Sequence, residues 1–332
     1  MKSFIAKALV GALAAFTLAG GAVAEEKVSF TLNWTADPGH APYFYGQSLG
    51  LYKDQGIKLK IFQGRGSGNT SQLVAAGRTD IGIVDTASAI NLAARGAPLK
   101  IIGVIEHVSG WALMVKEGSS IKSPKDLEGK TMGISSGTAQ KALFNALAAA
   151  NDIDMSKVEI TNYDNAAALS MLSEERVDAI IEVPDIMKPR LDERGVPSRS
   201  LYLRDFGVPL FGISVIASED TLAKRPDMVR GFLKATAESL HATVKDREAA
   251  VDVLLQRYPD AGEREAALHT VNSRADSLYC AKDSLGLLQP SEENLNGAFK
   301  VMTTYMGVDA SKPIDFYYVG DFLPNPPVPC KD

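Results

Sequence analysis

Hydrophobic and polar positions along the chain form two kinds of segment that follow one another in a regular order. Short segments that alternate apolar with polar residues, or are wholly apolar, are typical of strands; each precedes a segment with apolar residues at helical spacing. Strands are predicted over residues 28–34, 57–62, 81–84 and 99–105, with helices over 41–53, 69–76 and 86–94. The order then restarts, with strands over 130–135, 158–163 and 177–181 and helices over 139–149, 166–173 and 184–193. Beyond residue 220 the pattern predicts four helices, over 226–244, 247–257, 263–276 and 292–306.

Two runs of alternating strand and helix predict an α/β protein with two lobes, each a mainly parallel sheet flanked by helices. Extended segments over residues 111–115 and 210–217 would form two crossover strands between the lobes. We therefore expect a first lobe of residues 25–116 plus 208–332 and a second lobe of residues 117–207. Ligands of such sheets bind beyond the carboxyl ends of the strands, so the loops that follow the strands are expected to face a cleft.

The first 24 residues have the pattern of a secretory signal peptide. Lys2 and Lys7 form a basic start, an apolar run from Ala8 to Ala22 follows, and Ala22-Val-Ala24 places small residues at a cleavage site. The apolar run is short for a membrane span, which needs about 20 strongly apolar residues. We expect cleavage after Ala24 and a soluble periplasmic chain of 308 residues, with an uncleaved anchor as the alternative.

Charge and cysteine content narrow the class of protein further. Without the leader the chain has 33 basic and 40 acidic residues, a formal charge of −7, which does not favour a nucleic-acid partner. Cys280 and Cys330 are the two cysteines, and an even pair in an oxidising compartment predicts one disulfide, with two free thiols as the alternative. The cysteines and the four scattered histidines lack the spacing of metal ligands, so no metal site is expected.

Common enzyme signatures are missing from the sequence. It has no nucleophile elbow and no Walker loop, and Ser119-Ser-Ile-Lys122 lacks the partner motifs that would make it catalytic. Gly64-Arg-Gly-Ser-Gly68 follows a strand, but its third glycine is misplaced for a dinucleotide loop. From these motifs we expect a protein that is not an enzyme and needs no cofactor.

Small polar and aromatic residues in the expected cleft loops are candidates for ligand contact. Trp34 ends the first predicted strand, where it offers either a stacking surface or a core residue. His40 follows a turn at the start of a helix, and Tyr43 lies one helical turn further on; His40 either contacts a ligand or only caps the helix. Ser67, between two glycines before a helix, offers an anion nest or an ordinary helix start.

Candidate residues at three further places end or follow strands on the cleft side. Asp85 follows an apolar strand and is expected to cap the next helix rather than bind ligand. Ser136, Gly137 and Thr138 precede a helix and offer either an anion site or a simple cap. Glu182 ends a buried strand and points to the cleft, where its carboxylate accepts from a ligand amino group or closes an interlobe ion pair.

Several motifs give the chain a resemblance to the NMT1/THI5-like family of periplasmic substrate-binding proteins. They are Leu32-Asn-Trp-Thr-Ala-Asp-Pro-Gly-His-Ala-Pro42, Gly50-Leu-Tyr-Lys-Asp-Gln-Gly56, Leu73-Val-Ala-Ala-Gly77 with Asp80-Ile-Gly82, Ser123-Pro-Lys-Asp-Leu-Glu-Gly-Lys130 and Phe206-Gly-Val-Pro209. The resemblance spans nearly the whole mature chain. It implies a monomeric two-lobed (type II) binding protein that closes over a small molecule and delivers it to an ABC permease.

The Asn-Trp…His form is most similar to the branch that binds thiamin-pyrimidine precursors. That resemblance implies a flat heterocycle held by Trp34, His40, Tyr43 and Glu182, with the glutamate on its amino group. Other branches bind aromatic carboxylates or alkanesulfonates, which Ser136–Thr138 and the Gly66–Gly68 loop would hold. A catalytic branch consumes its active-site histidine, at the position of His40, with pyridoxal phosphate as co-substrate. That branch carries a cysteine-rich segment absent from residues 210–216 of this chain, and we expect binding rather than synthesis.

Overall fold

A computed structural model of the protein describes residues 25–135 and 139–331. The predicted signal peptide and Ser136, Gly137 and Thr138 lie outside the described residues. The described chain forms two five-stranded sheets. The first sheet takes its strands from two separate stretches of sequence, and the second takes all five from one stretch.

The first sheet contains β1 (Glu26–Thr31), β2 (Ile57–Phe62), β3 (Ile81–Asp85), β4 (Leu99–Val104) and the distant β10 (Ile213–Ser218). Its order is β2-β1-β3-β10-β4, with β1 parallel to β2 and β3. Strand β10 is antiparallel to both of its neighbours, so the returning chain is inserted into the sheet. A late segment therefore completes a sheet begun by the first 104 residues.

The second sheet contains β5 (Ala112–Lys116), β6 (Thr131–Ser135), β7 (Glu159–Tyr163), β8 (Ala179–Glu182) and β9 (Ser198–Tyr202), in the order β7-β6-β8-β5-β9. Strand β6 is parallel to β7 and β8, while β5 is antiparallel to β8 and β9. Strand β9 is not in the predicted pattern. Strand β5 lies within the predicted first lobe but pairs with this sheet, so we propose that the second lobe begins before β5. Apart from that change, the division into residues 25–116 plus 208–332 and residues 117–207 remains a prediction.

Helices flank both sheets. Those inserted between strands are α1 (Ala41–Ser48), α2 (Leu51–Asp54), α3 (Ser67–Ala75), α4 (Thr86–Ala94), α5 (Gln140–Ala150), α6 (Ala168–Ser173) and α7 (Pro184–Glu193). The C-terminal helices are α8 (Glu219–Lys224), α9 (Pro226–Lys245), α10 (Arg247–Arg257), α11 (Arg264–Ser277) and α12 (Glu292–Tyr305). None of these described helices combines the length and the apolar character that a membrane span requires.

Two predicted elements differ from the structure for local reasons. The strand predicted over 28–34 ends at Thr31, because the next residues pair with the Gly64–Gly66 loop: the Gly64 N–H donates to Trp34 O at 2.9 Å and the Gly66 N–H to Asn33 O at 2.8 Å. The helix predicted over 41–53 divides into α1 and α2, because Gly50 lies between them with φ +80. The first difference moves Trp34 from a strand end into a loop.

Apolar residues are buried on both faces of each sheet. One core packs β1–β3 against α1, α9 and α10, through Phe30, Phe44 and Phe232. A second core joins the sheets, since it contains Val84 and Val104 of the first and Met132 of the second. The two halves are therefore in apolar contact near the crossover segments.

Cys280 and Cys330 form the predicted disulfide, which closes a segment with a sequence separation of 50. Close to it, the Leu287 N–H donates to Val328 O at 2.9 Å and the Gln289 amide to Pro324 O at 2.7 Å. The bridge and these bonds hold a proline-rich tail against the first lobe. The same bridge lies three residues beyond the end of α11, so it also fixes the end of that helix.

We predict that replacing both cysteines by serine lowers the free energy of unfolding by roughly 3–4 kcal/mol, because the unfolded chain regains the entropy of the closed segment. Urea unfolding of the variant and of the oxidised parent measures the difference. The reduced parent is the control and is expected to match the variant. Equal stability of the oxidised parent and the variant would contradict the prediction.

Candidate functional site

A cavity of about 520 Å³ lies between the two sheets. The loops that follow β1 to β4 and those that follow β6 to β8 line it, as expected for the carboxyl ends of strands. Its lining includes Asn33, Trp34, Asp37, His40, Gly66, Ser67, Asp85, Glu106, Trp111, Gln140, Leu169, Glu182, Val183, Ile186, Met187, Arg190, Asp260 and Arg274. Of the predicted site residues within the described chain, the cavity collects Trp34, His40, Ser67, Asp85 and Glu182, and leaves Tyr43 outside.

Both tryptophans of the chain line this cavity. Trp34 lies in the loop after β1. The Gly64–Gly66 segment pairs with this loop through backbone hydrogen bonds. A Cβ at Gly64 would come within 2.0 Å of the Leu32 carbonyl oxygen, so only glycine allows this close backbone approach. Trp111, just before β5, was missed because its apolar neighbours made it look like part of a crossover strand.

Asp85 holds Trp111 in place while capping a helix. One carboxylate oxygen accepts from the Ala87 N–H at 3.0 Å and the Ser88 N–H at 3.4 Å, at the start of α4. The other accepts from the indole N–H of Trp111 at 2.9 Å. Burial raises the pKa of Asp85 to about 6, while the indole and the two amides oppose that rise. The Asp85 N–H in turn donates to Ser67 Oγ at 3.0 Å, so Ser67 and Asp85 are joined.

His40 is a buried neutral imidazole in the cavity wall. Its Nδ1 accepts from the Asp37 N–H at 3.1 Å, so its Nε2 carries the proton and donates to Asn33 Oδ1 at 2.8 Å. Burial is the main cause that lowers the pKa of His40. Tyr43 instead packs in the first core, with its ring centroid 5.1 Å from that of Phe30. Although it lies one helical turn beyond His40, Tyr43 is buried and contacts the sheet rather than the cavity.

Glu182 is the last residue of β8, two residues before α7 begins at Pro184, and it lines the cavity. Its Oε1 accepts from the Gln140 side-chain amide at 2.8 Å, and Gln140 Oε1 accepts from the Ser135 N–H at 2.8 Å. Burial raises the pKa of Glu182 to about 7, and the hydrogen bond from Gln140 opposes the rise. Gln140 was missed because a glutamine at a helix start carries no motif.

Arg274 of α11 joins residues from both halves of the cavity. Its Nη1 donates to Glu106 Oε1 at 3.0 Å and its Nε to Asp185 Oδ2 at 3.1 Å. Burial raises the pKa of Glu106 to about 7 and also raises the pKa of Asp185, with Arg274 opposing both rises. A Cβ at Gly39 would lie 2.1 Å from Arg274 Nη1, so glycine leaves the room that this guanidinium occupies. Sequence reasoning missed the triad because its members are far apart along the chain.

The described residues have the fold of the two-lobed periplasmic binding proteins. A search of solved structures matches the periplasmic aliphatic sulphonate binding protein SsuA of Escherichia coli with a TM-score of 0.69 and 16% identity, covering 89% of this chain and 92% of that one. The alkanesulfonate-binding protein SsuA of Xanthomonas axonopodis pv. citri, bound to MOPS, gives a TM-score of 0.67 and 14% identity, covering 87% and 95%. At such identities these likenesses show the fold alone.

The chain belongs to the NMT1/THI5 like family, whose model matches residues 37–250. The resemblance found in the sequence motifs is thereby confirmed. A curated relative, the 4-amino-5-hydroxymethyl-2-methylpyrimidine phosphate synthase of Legionella pneumophila, is 27% identical over 241 residues, 71% of this chain and 75% of the relative.

The sequence-based expectation that the chain is not an enzyme is wrong on this comparison. The curated relatives in Legionella pneumophila, Schizosaccharomyces pombe and Saccharomyces cerevisiae, at 24–27% identity, are all named as that synthase. The expectation rested on the absence of hydrolase, phosphate-loop and dehydrogenase motifs, none of which tests for pyrimidine synthesis. It also rested on the absence from residues 210–216 of the cysteine-rich segment of the catalytic branch, and the names of the relatives outweigh that difference.

We predict that Arg274→Met lowers the free energy of unfolding by about 3–5 kcal/mol at pH 8, because it leaves two buried carboxylates without their cation. Loss of the guanidinium raises the folded-state pKa of Glu106 and Asp185 further above the unfolded values. The folded state then binds protons more tightly than the unfolded state, so the deficit grows as pH rises from about 5 to 8.

Urea unfolding at both pH values measures this effect. Arg264→Met is the matched control, since Arg264 lies on the same helix and its ion pairs are exposed. Its Nε lies 2.6 Å from Asp252 Oδ1 and its Nη2 lies 3.2 Å from Glu248 Oε2. Its loss is expected to leave the free energy of unfolding nearly unchanged, because solvent screens exposed ion pairs. Similar losses of unfolding free energy in the two variants would contradict the prediction that the buried triad stabilises the protein more than an exposed ion pair does.

Proposed function

We propose that the protein is a solute receptor of an ABC importer, which binds a small, flat heterocycle with an amino group in the cavity between its sheets. The observation that carries this proposal is Glu182, whose carboxylate ends a strand in the cavity wall. Its one protein side-chain donor among the described residues, Gln140, occupies Oε1. The carboxylate therefore has capacity to accept from a ligand N–H, and a buried ligand donor without an acceptor costs about 1–3 kcal/mol.

Aromatic side chains support a flat ligand. Trp34 and Trp111 both line the cavity, and Leu169, Ile186 and Met187 add apolar surface. Trp111 is fixed by its hydrogen bond to Asp85, so its ring is held in place before a ligand enters. Indole rings are suitable surfaces for stacking a heterocycle.

The charge of the cavity favours this ligand over an anion. Its lining contains the carboxylates of Asp37, Asp85, Glu106, Glu182 and Asp260, against the guanidiniums of Arg190 and Arg274. Arg274 is already paired with two carboxylates, Glu106 and Asp185. A sulfonate or aromatic carboxylate would enter a site with excess negative charge, so this alternative ligand class is less favoured.

Export and delivery complete the proposal. The leader pattern of residues 1–24 directs the chain to the periplasm, and the two-lobed fold suits a monomeric receptor that closes over its ligand. A ligand that contacts both halves binds the closed form best and shifts the population towards it. The closed, loaded receptor would then be the form that an inner-membrane permease recognises.

We predict that Trp34→Ala and Glu182→Ala each weaken the binding of an aminopyrimidine at least about tenfold, through lost stacking and a lost acceptor. Isothermal titration calorimetry measures the affinity, and circular dichroism checks the fold. Phe62→Ala and Glu159→Ala remove an aromatic ring and a carboxylate from exposed positions and are expected to leave affinity unchanged.

A parallel titration with an alkanesulfonate separates the two ligand classes. Tight, salt-sensitive sulfonate binding that survives both cavity substitutions would overturn the proposed ligand class. Unchanged aminopyrimidine affinity in both variants would overturn the proposed site.

A second candidate function is pyrimidine synthesis, favoured by the position of His40 in the cavity wall and by the name of the curated relatives. We expect such an activity to consume His40 itself when pyridoxal phosphate is supplied. Mass spectrometry of the peptide that contains His40, before and after incubation, tests this candidate. An unmodified peptide and no pyrimidine product would exclude it.

A further inference from the structure

Glu182 is the last member of a chain of hydrogen bonds that joins three groups. The donor and the acceptor of each bond are fixed, so the chain has one direction. The first group is the backbone N–H of Ser135, the last residue of β6. The second is the Gln140 side chain at the start of α5, and the third is the Glu182 carboxylate at the end of β8. Two strand ends and one helix start therefore hold this chain in place.

The direction of the chain is set at its beginning. A backbone N–H can only donate, so the Gln140 atom 2.8 Å from the Ser135 nitrogen must be the amide oxygen. The amide nitrogen of Gln140 then faces Glu182 Oε1 at 2.8 Å, as a donor. Gln140 is buried with 1% exposure, so rotation of its amide would leave a backbone donor facing another donor. Residue 182 must consequently present an acceptor to Gln140.

We propose that Gln140 is a specificity-determining residue, which orients residue 182 so that the cavity accepts ligands that donate hydrogen bonds and rejects isosteres that accept. This inference rests on the proposed function for the choice of ligand, since it names Glu182 as the recognition group. It goes further because it names Gln140, which need not touch the ligand, as the residue that decides whether the site offers the ligand a hydrogen-bond acceptor or a donor. An aminopyrimidine would fit, and a pyrimidinone with a carbonyl oxygen in place of the amino group would not.

A substitution at position 182 tests the direction of the chain. In Glu182→Gln, the new amide must turn its oxygen towards the Gln140 donor, so its NH₂ group faces the cavity. The site would then offer a donor in place of an acceptor. We expect wild-type protein to bind 4-aminopyrimidine at least about tenfold more tightly than 4-pyrimidinone, and E182Q to reverse this order.

Exchange of the two residues supplies the matched control. In the double variant Gln140→Glu with Glu182→Gln, the carboxylate at 140 still accepts from the Ser135 N–H and now also faces residue 182 as an acceptor. The amide at 182 must then turn its NH₂ group inwards and its oxygen to the cavity. Side-chain composition and total charge equal those of the wild type, and the preference for 4-aminopyrimidine is expected to return.

Calorimetric titration of the three proteins with both probes gives the decisive comparison. Reversal in E182Q together with recovery in the exchanged variant supports the inference, because a merely structural role of Gln140 would not restore ligand preference. A loss of affinity for both probes in E182Q, with no recovery in the exchanged variant, would overturn it. Failure of the wild type to bind either probe would count against the proposed function instead.

A ligand-free measurement judges the inference even in that case. The side-chain NH₂ of Gln140 in ¹⁵N-labelled protein should shift with pH as Glu182 titrates, with a midpoint at about 7, and E182Q should abolish this transition. Arg190 on α7, Tyr163 at the end of β7 and the Val183 backbone N–H are the other groups that act on Glu182, and all are retained in E182Q. Absence of the transition in the wild type would contradict the orientation itself.

Discussion

The pairing of Arg274 with Glu106 and Asp185 is the interaction on which the arrangement of the cavity depends. Arg274 comes from a C-terminal helix, Glu106 follows β4 of the first sheet, and Asp185 lies on α7 beside the second sheet. A second bond, from Thr270 Oγ1 to the Asp185 carbonyl oxygen at 2.8 Å, joins the same two helices. The side chains of Glu106, Asp185 and Arg274 are all buried, so each charge depends on the others for compensation.

The side chains of this triad need space that only glycine leaves open at two neighbouring positions. Gly39 leaves room for the guanidinium, and a Cβ at Gly212 would lie 2.1 Å from Glu106 Oε2. Glu106 Oε2 also accepts from the Ile213 N–H at 3.2 Å, at the start of β10. The strand that returns the chain to the first sheet is therefore tied to the same carboxylate that binds Arg274. The contacts of Glu106 thus help both to complete the first sheet and to form the cavity.

The sequence predicted most of the fold because its information was local. Strand and helix periodicity placed the elements of both lobes, and the position of Asp85 after an apolar strand predicted its role as a helix cap. Strand β9 was missed because Ser198–Tyr202 is only partly buried and lacks a clear alternation of apolar residues. The division of one helix at Gly50 depended on a single backbone conformation.

The candidate site was only partly predictable, for a different physical reason. Trp34 and Glu182 follow strands, so topology alone directs them to the cleft. Gln140 donates to Glu182 across 42 positions and Arg274 donates to Asp185 across 89 positions, and no local pattern encodes such pairs. Tyr43 was predicted from its position one helical turn after His40 and from the family resemblance, yet its ring packs in the first core.

The distribution of indole rings gives the molecule an optical property. Trp34 and Trp111 are the whole tryptophan content of the chain, and both border the same cavity. Emission excited selectively from indole therefore originates entirely at the cavity wall, one ring carried by the loop after β1 and the other hydrogen-bonded to a carboxylate. Changes in the wavelength and in the quenching of this emission would therefore report ligand occupancy and solvent access at that wall, without any attached dye.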